Sequence, residues 1–96
     1  MVLFVLDEYH QPLRATSPEV FEAYYLGTDR TVAYDTCGPY VVHTVFAGVA
    51  PEDGVGTLLF VTSIDGPAPP ERQRYASWNS AQMGHNAVVD ELRLVA

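Results

Sequence analysis

The sequence predicts an α+β fold, with a single antiparallel sheet of about four or five strands and two helices packed on one face. Three observations predict it. Two stretches carry helical apolar spacing together with suitable ends. Between them lie three runs rich in β-branched and aromatic residues, joined by connections too short for crossovers. The chain has 96 residues and 48% hydrophobic content, enough for one core and too little for two, so residues 1–96 read as a single domain.

Each element has its own justification. Val2 to Leu6 is a short apolar run that reads as a buried strand. DEYHQP reads as a turn, and LRA returns as a short second strand. TSPEVFEAYYLG carries a helix start: Ser17 can cap, Pro18 fits the first helical position, and Glu19 suits the positive end. Val20, Phe21 and Tyr24 share one face of that helix, and Gly27 can end it. RTVAYDT (30–36), YVVHTVFAGV (40–49) and TLLFVTSID (57–65) form an antiparallel meander. CGP and APEDGVG are its connections, and the prolines of GPAPPE make an irregular loop. RQRYA reads as a short edge strand. The last helix runs from about Ser77 to Leu94. The element order is β(β)αβββ(β)α.

The last helix holds the most informative pair of residues. Trp78, Ala81, His85, Val88, Val89 and Leu92 follow one helical stripe, while Gln82, Asn86, Asp90 and Arg93 fall opposite. Gly84 sits beside the stripe, where glycine costs about 1 kcal/mol against alanine. That placement fits a close helix–sheet approach, or a side chain or ligand occupying the space above it. His85 points at the sheet. It reads as a core histidine bonded to a backbone carbonyl or a tyrosine hydroxyl, or else as a binding or catalytic group in a pocket. A metal site would need His10, His43 and His85 to converge, and their spacing is not that of a ligand motif. Ser17, Ser63, Ser77 and Ser80 stand in no nucleophile motif, so no catalytic residue is nominated. No cofactor is implied.

Composition excludes several classes. Net charge is −7, with five Arg and no Lys, which argues against gripping a nucleic-acid backbone. The twelve acids are scattered, a poor match to a nucleic-acid mimic. Cys37 is the only cysteine, so an internal disulfide and a thiolate cluster are excluded. MVLFVL lacks the basic start and length of a signal peptide, and no run approaches a membrane span of about 20 apolar residues. The expectation is a soluble protein of the cytosol. A chain this short, rich in tyrosine and with strand edges to cover, is expected to form a homodimer or higher oligomer.

Three segments together carry a resemblance: DRTVAYDTCGPYVVHTVFAGV, LLFVTSIDG and RYASWNSAQMGHNAVV. They resemble a family of small uncharacterised proteins of tailed bacteriophages and prophages. The most specific part is the RY…W…GH segment, matched by Arg74, Tyr75, Trp78, Ala81, Gly84, His85 and Val89. Within it His85, Arg74, Tyr75 and Trp78 are the candidate ligand-binding residues. The chain departs from the family pattern at Val61, at APEDG, and at Asn79 and Ser80, where relatives carry acidic or histidine residues. The resemblance implies a phage or prophage setting, in the host cytoplasm or the virion. The expected function is that of an accessory protein that binds a host protein or a small host molecule. The alternatives are a structural or assembly component of the virion, and a small enzyme using His85.

Overall fold

The computed structural model describes residues 2–50, 58–68 and 72–95. Strand β1 (Val2–Leu6) turns back into β2 (Pro12–Arg14), and α1 (Pro18–Gly27) follows. Next come β3 (Thr31–Cys37), β4 (Tyr40–Phe46), β5 (Val49–Ala50), β6 (Phe60–Asp65) and β7 (Gln73–Tyr75). Helix α2 (Trp78–Val95) ends the order. The fold is α+β, as the sequence predicts. The loop expected at APEDGVG lies almost entirely outside the described residues, as does the later part of GPAPPE.

The strands form two antiparallel sheets, where the sequence reading has one. The larger has the order β3-β4-β6-β7, and the smaller has the order β2-β1-β5. The first is the expected meander plus the expected edge strand. The second arises because the chain leaving β4 bends at Gly48 and runs on along β1, pairing Leu3 with Val49. Gly48 has a φ of +74°, and a Cβ there would meet the Phe4 carbonyl oxygen at 2.8 Å. Only glycine takes this bend without strain. The Phe4 N–H donates to the Gly48 carbonyl at 2.8 Å, which holds the two sheets together.

Both helices start as their sequences dictate. The Ser17 hydroxyl accepts from the Val20 N–H at 3.2 Å, with Pro18 next in line. The Ser77 hydroxyl accepts from the Ser80 N–H at 3.1 Å. Helix α2 lies on the larger sheet, and its register is the predicted one. Ala81, His85, Val89 and Leu92 are buried, Trp78 and Val88 are half-buried, and Gln82, Asn86, Asp90 and Arg93 are exposed. The expectation for α1 needs correction. It packs on β1 and reaches the larger sheet through the Tyr24 ring, edge-on to Phe46 at 6.2 Å. Phe21 and Tyr24 face inward and are half-buried, but Val20 is exposed.

The core lies between α2 and the inner face of the larger sheet. One end holds Cys37, Val42, Ile64, Val89 and Leu92, and the other holds Phe46, Leu59, Phe60 and Ala81. Register explains this: Val42 sits opposite Ile64, Thr44 opposite Thr62, and Phe46 opposite Phe60. A bulge between Thr31 and Ala33 gives β3 one extra residue, and Val32 packs against the core there. Among the described residues, no helix is long and apolar enough to cross a membrane.

Candidate functional site

Inward positions on adjacent strands alternate with outward ones. On three neighbouring strands one inward position is polar. Asp35 on β3 lies between Ala33 and Cys37, Thr44 on β4 between Val42 and Phe46, and Thr62 on β6 between Phe60 and Ile64. His85 reaches this row from α2 and is fully buried.

The four side chains form one hydrogen-bonded chain. His85 Nε2 lies 2.7 Å from Asp35 Oδ2, and His85 Nδ1 lies 2.7 Å from Thr44 Oγ1. Thr44 Oγ1 lies 2.6 Å from Thr62 Oγ1. Valence gives the chain a direction. A carboxylate only accepts, so Nε2 carries the proton and donates to Asp35. In the neutral ring Nδ1 then accepts from the Thr44 hydroxyl, which in turn accepts from Thr62. Every member is satisfied, and no buried side-chain nitrogen or oxygen among the described residues lacks a partner. A core histidine is thus shown, but its partners are a carboxylate and a hydroxyl. The backbone carbonyl or tyrosine hydroxyl expected from sequence is not what it bonds.

An acid, an imidazole and a hydroxyl in line resemble a nucleophilic relay, but the geometry lacks access. Thr44, Thr62 and His85 are each 0% exposed, so no substrate atom reaches the hydroxyl or the ring. The solvent-facing end is Asp35, whose side chain is 41% exposed.

Tyr75 explains Gly84. A Cβ on Gly84 would overlap the outer part of the Tyr75 ring, reaching Cζ, Cε1 and the hydroxyl. The space above the glycine is filled by a side chain from β7, one of the causes the sequence allows. Tyr75 also packs against the Phe46–Phe60 cluster. Trp78 is engaged as well: His10 stacks on it at 3.8 Å with the planes 9° apart, and its edge meets Phe60 at 6.3 Å. His10 has a φ of 61° and sits in a turn braced by Asp7, whose Oδ1 accepts from the Tyr9 and Gln11 N–H groups. Arg74 pairs with Val61, so it lies on the opposite face of the sheet and is exposed. The structure therefore gathers His85, Tyr75 and Trp78 on the α2 side and separates Arg74 from them.

The three histidines do not converge. His43 precedes Thr44 on β4 and faces outward, bonded to Thr31 Oγ1 at 3.2 Å and edge-on to Tyr34. Among the described residues, no three His, Cys, Asp or Glu side chains group as metal ligands.

Two other groups are electrostatically perturbed. Asp29 accepts from the Thr31 backbone N–H at 2.9 Å, which holds its carboxyl below the usual range. Burial pushes the Tyr24 phenol above its ordinary value, partly opposed by a backbone hydrogen bond at Leu6 and by Arg30. Arg30 lies 3.6 Å from the centroid of the Tyr25 ring and donates to the Phe46 carbonyl at 2.9 Å. Comparison with protein-family models, with curated proteins and with solved structures finds no match.

Proposed function

We propose that this chain is a phage or prophage accessory protein that acts by binding, its target being a host protein or a small host molecule. The setting rests on the resemblance of the RY…W…GH segment and its companions. The binding mode rests on one observation: no residue from Val2 to Arg30 is buried, although that segment is rich in large apolar side chains. Tyr9, Leu13, Val20, Tyr25 and Leu26 are all exposed there. Large apolar side chains left exposed along one segment of a small protein are available to a partner. The sealed His85 chain supports the same reading, because the only imidazole in the core offers a substrate no access.

Self-association belongs to this proposal. Strand β3 is an edge strand of seven residues, and it carries Tyr34, which is 58% exposed. Such an edge pairs readily with another strand.

The test is a native mass measurement of the protein produced in a bacterial host. A stoichiometric partner or bound small molecule is the expected result. A bare chain mass that captures nothing, combined with turnover abolished by His85→Gln, would replace this reading with the enzymatic one. Stoichiometric recovery in purified particles would replace it with a virion role.

A further inference from the structure

Helix α1 is apolar on nearly every side. Val20, Phe21, Ala23, Tyr24, Tyr25 and Leu26 are distributed around its axis, a pattern that belongs to covered helices. Only Phe21 and Tyr24 turn inward, and neither is fully buried. On the far side Glu19, Glu22, Ala23 and Leu26 line one shallow hollow. Their i, i+3, i+4, i+7 spacing makes a single stripe, and Leu26 stands 78% exposed at its end.

We propose that this stripe seats a cationic amphipathic segment of a partner protein. The inference rests on the reading of this chain as a binding protein and names the chemistry of its target. An exposed leucine and alanine flanked by two carboxylates fit apolar anchors rimmed by Lys or Arg. A second copy of the chain does not fit. It brings twelve acids against five Arg, and a paired α1 would set Glu19 and Glu22 against their own kind. The nearby cation, Arg30, is already held by the Tyr25 ring and the Phe46 carbonyl. Nucleic acid is repelled by the same carboxylates. A helix of ten residues is about 15 Å long, and one face of it falls short of the roughly 800 Å² per partner of a standard interface. The contact is therefore of the small class typical of transient encounters.

The test titrates the isotope-labelled full chain with a Leu/Lys amphipathic peptide of about 18 residues, long enough to fold on contact. Leu/Gln and Leu/Glu analogues serve as controls. Amide shifts should concentrate in residues 19–27 and appear with the Leu/Lys peptide alone. Leu26→Ser and the double variant Glu19→Gln, Glu22→Gln should each weaken binding about tenfold. These side chains are solvent-exposed, and unchanged α2 shifts confirm that the variants fold. Asp90→Asn with Glu91→Gln should bind as the parent does. No binding, shifts scattered over the acidic surface, or equal weakening by the Asp90 and Glu91 pair would overturn the proposal. So would equal binding of the Leu/Glu peptide. Concentration-dependent α1 shifts without peptide would give the face to a second copy instead. Any of these leaves the wider binding reading standing, since that falls only on the native mass, turnover and particle-recovery results.

Discussion

The Thr44 hydroxyl is the middle link of the buried chain, so its removal leaves two groups without partners. Thr44→Val is expected to cost about 1–3 kcal/mol, because His85 Nδ1 and the Thr62 hydroxyl both stay buried and unpaired. Thr62→Val is expected to cost less, since it takes away only the terminal donor. The double variant should cost less than the sum of the two singles, because it leaves one orphan group where Thr44→Val leaves two. Denaturant unfolding of the three variants measures this. The same valence argument places the imidazole proton on Nε2, and ring-nitrogen NMR shifts that put it on Nδ1 would contradict the assigned direction. His85 was legible as an inward residue because helical period alone decides it. Its partners were not, because they lie 50 and 41 residues away in the sequence. A signal did exist: a polar residue at an inward position in each of three adjacent strands. It becomes readable only once strand register is known, since one residue of slip reverses inward and outward.

Among the elements, α2 and β7 are locked where the Tyr75 ring covers Gly84. Gly84→Ala is expected to destabilise by about 1 kcal/mol net, the displaced ring costing roughly 1–3 kcal/mol and helix propensity returning about 1. In a Tyr75→Ala background the same change should stabilise by about 1 kcal/mol, because only the propensity effect is left. A double-mutant cycle by thermal or denaturant unfolding checks both signs. Helix α1 carries a pH dependence instead. The Tyr24 phenol is raised above 10.0 in the folded state, chiefly by burial, so its contribution is complete below pH 10 and is lost as pH rises through the folded value. Tyr24→Phe should flatten the alkaline limb of a stability profile measured through that window. The two helices also show why sequence placed one and misplaced the other. Gln82, Asn86, Asp90 and Arg93 mark the wet side of α2 and leave its register a single solution. Helix α1 has apolar residues on most sides, so periodicity could not choose between Val20 and its neighbours, and packing on β1 made the choice.

At the scale of the whole molecule, the proposed edge-to-edge association predicts a concentration-dependent mass in sedimentation. Tyr34→Lys on β3 should shift the protein toward monomer while costing no more than about 1 kcal/mol of stability, because Tyr34 is exposed on the edge strand and gives up only its edge-on contact with His43. A monomer mass at every concentration would refute that association. The two-sheet arrangement was hidden in the sequence for a simple reason. Alternation identifies strands but says nothing about which ones pair, and the run 40–49, read as one strand, divides into β4 and β5 with only β5 reaching β1. The bend at Gly48 decided for β5. This topology also sets an order of events during synthesis. Strand β1 leaves the ribosome long before its partner β5, and the larger sheet emerges before α2, the helix that lies on its inner face. A nascent chain that has emerged only as far as residue 77 therefore holds Phe46, Phe60 and the threonine pair without the helix that covers them. Such a chain should be held by chaperones, and the pulling force of folding, measured with a C-terminal linker that spans the exit tunnel, should appear only once Val89 and Leu92 have cleared it.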